Sequence, residues 1–306
     1  MAMKKLARYT FLVFLAATSL ASNSEENEYD VILRDMNRIK VIDAYGGKVV
    51  KIEGEIKKGD YQRFLAVVKK AGSSVREIYL YSPGGDAQEA MKIGRLMRKL
   101  RYSVNAPAFD VEGKRVCTPP PDNPENCRCD SSCFLIYVGG AHRNAKLLGI
   151  HRIYIDHKFQ KGLSGTDSSK FSKAIKADVS SYLKEMSVPT TYTDKLFSVP
   201  STKIEYISQA DLARYFIGDI PEFQEWIIAQ CEKEIKYNDE MMHIWKRVKA
   251  GVSSKEEQKK LQQEKQFYLK LTDCEMHART KLTNEVWVRE LRKAIKEEFP
   301  NTKFKF

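Results

Sequence analysis

Apolar and polar positions alternate along one part of the chain and recur at helical spacing along others. From Val49 the stretch VVKIEGEI alternates and runs into a turn, which predicts a strand. Asp60 to Ala71 carries Phe64, Leu65, Val67, Val68 and Ala71 at the spacing of one helix face. EIYLYS (77–82) is a short strand rich in aromatic and β-branched residues, and it breaks at Pro83-Gly84-Gly85. Asp86 then has the place of an N-cap, with Glu89 three residues on completing a capping box. Ala90, Ile93, Gly94, Met97 and Leu100 line one face of the helix that follows, and Tyr102 to Ala106 predicts a further strand. Strand, helix, strand, helix, strand in this order implies parallel strands joined by crossover helices, hence a layered α/β domain.

Residues 109–129 interrupt the order with DVEGKRVCTPPPDNPENCRC, whose prolines exclude a helix or a central strand. This segment predicts a surface loop stapled by its cysteines. SSCFLIYVGG (131–140) then predicts a buried helix closed by two glycines, and KLLGIH (146–151) a buried strand with His151 at its end. Beyond about residue 221 the composition shifts to charged segments with apolar residues at helical spacing, predicting two to four helices as a hairpin or small bundle. Cys231 and Cys274 fall on separate helices there and are expected to pair. The expected organisation is a leader at 1–21, a polar mobile lead-in at 22–45, a core at 46–220 with the insertion at 109–129, and a helical extension at 221–306.

The first residues change the compartment. Lys4, Lys5 and Arg8 precede an apolar run from Thr10 to Leu20, and Ser19-Leu20-Ala21 offers small residues for cleavage. That order reads as a secretory signal peptide with an apolar part too short to span a bilayer. Its removal takes away three bases and no acids, lowering the net charge from +12 to +9. The remaining bases are dispersed among acids, which describes a solvated surface rather than a nucleic-acid footprint. Six cysteines, all beyond the leader, form an even set in a chain bound for a periplasmic or secreted, oxidising location, so disulfides are the expectation. Cys117, Cys127, Cys129 and Cys133 lack the paired spacing of a zinc knuckle, and among themselves they allow three pairings.

Acyl transfer needs an activated hydroxyl, a base, and two backbone amides aimed at the developing oxyanion. Gly84 and Gly85 follow a strand in a turn that lets a carbonyl approach closely. Ser131 opens a helix, and the amide of Ser132 is the candidate second donor. Ser132 competes with Ser131 as nucleophile, and His157 competes with His151 as base. His142 is expected to pack beside the glycines, and His243 and His277 to be solvated on the tail. Cys133, one helical turn beyond Cys129, is expected to be structural.

YSPGGD, CDSSCFLIYVGGAHR and GIHR together resemble the Clp protease proteolytic-subunit and crotonase superfamily, on its serine peptidase side. The likeness is greatest to a periplasmic branch whose nucleophile segment reads C-x-S-x-C, and it spans roughly residues 48–220. It implies a layered β-α-β core, a nucleophile at Ser131 nine residues before Gly140, a base at His151, and oxyanion amides from Gly85 and Ser132. It also implies a peptide or protein substrate and neither cofactor nor metal, and it leaves assembly into homo-oligomers open. Two departures stand out. The insertion has no counterpart and is a candidate lid. The position expected to hold the triad acid is Ile204, with Glu205 adjacent and Asp194 and Asp211 farther off. An alternative therefore accompanies the serine hydrolase: a binding protein on the same fold that has lost turnover.

Overall fold

The computed structural model describes residues 38–153, 165–235 and 239–300. Six strands make its main sheet: β1 (Ile39–Ala44), β2 (Gly47–Glu53), β3 (Glu77–Tyr81), β4 (Ser103–Asn105), β7 (His142–Asn144) and β10 (Gly218–Asp219), side by side in that order. β2, β3, β4 and β7 run parallel, while β1 and β10 close the two edges antiparallel. The crossovers are α1 (Asp60–Ala71), α2 (Ala87–Leu100) and the buried α3 (Ser132–Tyr137). This is the layered α/β core the periodicity predicts. α2 buries Ala90, Ile93, Met97 and Leu100, as its apolar face requires.

Several expectations are corrected in detail. The lead-in expected over 22–45 gives way at Ile39 to β1. KLLGIH does not enter the main sheet. Only β8 (Gly149–Ile150) is extended, and it pairs antiparallel with β9 (Glu205–Tyr206). The last parallel strand is instead His142–Asn144, whose central Arg143 is buried and donates to the carbonyls of Val138, Gly140 and Met186. The capping box at α2 is half formed. Asp86 accepts from the amides of Gln88 and Glu89, but the Glu89 carboxylate accepts from Gly59 and Tyr61 at 3.1 and 2.9 Å, holding the start of α1.

The insertion is anchored on β2. The amides of Asp122 and Asn123 donate to the Glu53 carboxylate at 2.8 and 2.7 Å, and the buried Lys51 ammonium bridges Glu53 and Asp122. Cys117–Cys127 staples it, as expected for a loop. β5 (Ala108–Phe109) and β6 (Arg115–Val116) form a small hairpin at its start.

α4 (Gly165–Glu185) and α5 (Thr191–Ser198) precede β9. After β10 come five helices among the described residues rather than two to four: α6 (Pro221–Glu234), α7 (Asp239–Lys249), α8 (Lys255–Gln263), α9 (Lys265–His277) and α10 (Thr283–Glu298). The charged stretch 255–277 divides at Glu264, which lies between α8 and α9. α6 to α9 share a second apolar cluster closed by Cys231–Cys274, the pairing expected. α10 returns to the first core, where Trp287 donates to the Tyr102 hydroxyl at 3.2 Å. No helix of the described residues is long and apolar enough to cross a membrane.

Candidate active site

A short second ladder sits at the carboxyl end of β3. Ser82 pairs with Cys129 and Asp130 pairs with Gly149, both parallel, so residues 128–131 run extended between β3 and β8. The Ser131 amide donates to the Gly149 carbonyl at 2.9 Å, and α3 begins at the next residue. The chain therefore turns from strand to helix at one residue. Ser131 takes φ 58° and ψ −124° there, a conformation an L-residue holds only when its surroundings impose it. Its hydroxyl does not cap α3. Among the described residues it makes no hydrogen bond, and it is 7% exposed.

What imposes the turn is close packing from both sides. A Cβ on Gly84 would lie 2.5 Å from the Ser131 Cβ and 3.0 Å from its Oγ. A Cβ on Gly85 would lie 2.1 Å from the Ile56 carbonyl oxygen. Both glycines also have positive φ, 103° and 136°, so the Pro-Gly-Gly turn is fixed by space and by backbone together. The Ser132 hydroxyl donates to the Gly85 carbonyl at 2.8 Å, tying the turn to the head of α3. With that carbonyl held, and with the Ile56 bridge using the Gly84 carbonyl and the Asp86 amide, the Gly85 amide meets no partner among the described residues. Nor does the Ser132 amide, at the first helical position. Gly84, Gly85, Ser131 and Ser132 are thus brought together.

α3 is buried on all sides. Its carbonyl end is covered by two guanidiniums: Arg98 donates to Val138 at 2.9 Å, and Arg143 to Gly140 at 3.2 Å. Burial lowers Arg143 to about 10, so it stays charged at neutral pH. Cys129–Cys133 brackets the turn from beneath, with both sulfurs buried, which assigns Cys133 the structural role expected of it.

His151 is 7% exposed and lies just past β8, on the strand that receives the Ser131 amide. Its Nδ1 stands 2.9 Å from the Arg152 carbonyl. Because a carbonyl only accepts, Nδ1 carries a proton there, and the neutral ring then has its lone pair on Nε2. The competing His157 lies outside the described residues. His142 is partly exposed and pairs with Asp219 at 2.8 Å rather than packing on the glycines. His243 is exposed and His277 half-buried.

Two of the carboxylates considered for a triad are committed elsewhere. Glu205 pairs with Lys195 at 2.8 Å, and Asp194 pairs with Lys176 at 3.1 Å. The β8–β9 ladder ends with Ile150 against Glu205, and His151 and Ile204 are the next residues beyond it.

One carboxylate escaped the sequence reading. Asp130 is 1% exposed, and its Oδ1 has no hydrogen-bond partner among the described residues. That oxygen fills the space beside Gly149, 2.1 Å from where a Cβ would be, against the Ile204 side chain. Burial raises its carboxyl above the ordinary value, opposed by the charges of Arg128, Arg115 and His151. Its signal in the sequence was a lone acid directly before Ser131, between two cysteines of a buried segment.

No family model and no curated protein matches this chain. Among solved structures it is similar to ClpP1 from Listeria monocytogenes, at 14% identity and a TM-score of 0.38, over 56% of this chain and 88% of that one. It is similar also to a point variant of that protein, at 13% identity and a TM-score of 0.38, over 57% and 93%.

Proposed function

We propose that the chain is an exported serine hydrolase, and specifically a peptidase, with Ser131 as nucleophile and His151 as general base. The observation that carries this reading is the strained Ser131: a serine at φ 58° between a strand and a helix, with its hydroxyl left out of the helix cap and a Gly-Gly turn pressed against it. Strain of this kind costs roughly 1–3 kcal/mol and persists where geometry is needed for something other than stability. His151, with Nδ1 on the Arg152 carbonyl, takes the Ser131 proton on Nε2 as Oγ attacks the acyl carbon. The amides of Gly85 and Ser132 receive the oxyanion, and His151 returns the proton to the leaving amine. Every step uses groups of this chain. Three disulfides support an oxidising, extracytoplasmic setting, and the leader expected at residues 1–21 lies outside the described residues.

A second reading, a binding protein without turnover, draws on the isoleucine at position 204 and on Glu205 being spent on Lys195. A fluorophosphonate probe separates the two. The hydrolase reading expects labelling of the wild type and none in Ser131→Ala or His151→Ala. A folded wild type that takes no label supports the binding protein. Label that survives Ser131→Ala but vanishes in Ser132→Ala moves the nucleophile by one residue.

A further inference from the structure

A buried carboxylate, Asp130, stands on the segment that leads into Ser131 and is used by no step described above. We propose that Asp130 is the positioning residue of this site, supplying the negative charge that stabilises the His151 imidazolium from the nucleophile's own strand. The inference rests on the Ser131–His151 reading for its catalytic consequence, but its physical content is the coupling of Asp130 to His151.

The geometry comes from two glycine contacts and one register. Asp130 precedes Ser131 and pairs with Gly149 in the second ladder, two residues before His151. In extended chain, residues two apart face the same side. The missing side chain of Gly149 leaves a space on that side, and the Asp130 carboxyl fills it, with Oδ1 at 2.1 Å from the absent Cβ position. Ile204, next to β9 in the chain, closes the same space, its Cγ2 at 2.7 Å from that position. The carboxyl therefore occupies ground next to the one an acid at 204 would hold, reached from the other side.

Its neighbours explain why a charge there would act on histidine. The ionisable groups whose charge reaches Asp130 are Arg128 on its own segment, Arg115 of the insertion, His151 beyond β8, and Tyr206 of β9. Arg115 is turned to Tyr206, donating to its hydroxyl at 2.5 Å. Oδ1 accepts from none of them. A buried carboxylate without hydrogen bonds is costly, and it is relieved when a cation forms nearby. In the proposed reaction that cation is His151. The Arg152 carbonyl fixes the tautomer and the ring, and Asp130 provides the charge.

The test is the titration of His151 followed by NMR at its Cε1 proton, in wild type, Asp130→Asn, and Asp130→Asn with Ile204→Asp. The midpoint is expected to fall by about one pH unit in Asp130→Asn, the size expected on losing a nearby opposite charge, and to recover when a carboxylate is restored at 204. Fluorophosphonate labelling should slow at least tenfold in the single variant and recover in the double one. Should Asp130→Asn fail to fold, His151→Gln gives the reciprocal measurement: loss of the histidine should raise the Asp130 carboxyl midpoint read by carbon NMR. An unmoved His151 midpoint in folded Asp130→Asn, or an unmoved Asp130 midpoint in His151→Gln, overturns the proposal whatever the labelling does. A midpoint that moves in a wild type that never labels upholds the coupling and sinks the hydrolase reading instead.

Discussion

Asp130 and Asp219 are both carboxylates withdrawn from water, one beside Ser131 and one where β10 meets the helical extension, and their surroundings drive them in opposite directions. Around Asp219, burial alone would raise the carboxyl, but His142 and Arg279 outweigh it and hold it far below its ordinary value. Nδ1 of His142 stands 2.8 Å from it, and Arg279 grips it through both nitrogens, one of them at 3.1 Å. Around Asp130 burial wins, and Oδ1 is left without a donor. The extension joins the core through a satisfied charge. The candidate site keeps an unsatisfied one. A scaffold gains by pairing buried charges, whereas a site that must stabilise a charge formed during reaction holds its counter-charge in reserve.

The largest expected effect lies on the scaffold side. Cys231–Cys274 links residues 43 apart, and Cys129–Cys133 only 4 apart. In the chain-entropy account the first contributes about 4 kcal/mol and the second about 2 kcal/mol. Replacing Cys231 and Cys274 with serine should lower the urea midpoint more than replacing Cys129 and Cys133. Labelling of the folded fraction should fall only in the second pair, which brackets Ser131. Equal losses of labelling would mean that the extension is part of the site.

Next comes the joint itself. Asp219→Asn leaves Arg279 and His142 without their partner and should cost about 3 kcal/mol at neutral pH. The sign is fixed by the depressed carboxyl. The stabilisation is fully present above the ordinary value of 3.8 and is lost as pH falls through the folded one, so wild type should steepen in its acid unfolding below about pH 4 and the variant should not. Urea unfolding at pH 7, 4 and 3 checks this.

A smaller effect is expected at Ser132. Ser132→Ala keeps the amide but removes the hydrogen bond to the Gly85 carbonyl, costing about 1 kcal/mol. The freed turn should slow labelling roughly tenfold, less than the 10²–10³ lost when an oxyanion donor is removed outright. Labelling unchanged in rate would show that the Gly84 and Gly85 packing alone fixes the turn.

These regions also differ in how far the sequence disclosed them. α2 was readable because its buried face repeats at helical spacing, and the meeting of Gly84, Gly85 and Ser131 because glycine is required where backbones touch. His142–Asn144 was not readable as a strand. Its buried centre is an arginine that satisfies three carbonyls, so it breaks the apolar pattern on which a strand is recognised. β1 was hidden because, at the sheet edge, only Ile39 of its six residues is fully buried. Asp130 was hidden for a third reason. Nothing in CDSSC says that the space for its carboxyl is made by the missing side chain of Gly149, nearly twenty residues away.

The smallest expected change in stability decides most about Asp130. If its carboxyl were a structural anchor, Asp130→Asn would destabilise the fold, as losing a satisfied group does at Asp219. Oδ1 has no donor to lose, so the opposite is expected. The folded carboxyl is raised above 3.8, so the folded protein keeps its proton where the unfolded chain has released it. Stability is then full below the unfolded value and declines as pH rises through the folded one, the reverse of the trend at Asp219. Asparagine cannot ionise and does not share in that decline. The variant should match wild type near pH 3.5 and exceed it by about 1 kcal/mol or less at pH 7, while the labelling rate falls. Paired urea titrations at the two pH values measure the difference. A variant less stable than wild type at pH 7 would make Asp130 part of the scaffold, and its effect on labelling would then be explained by loss of the turn that holds Ser131.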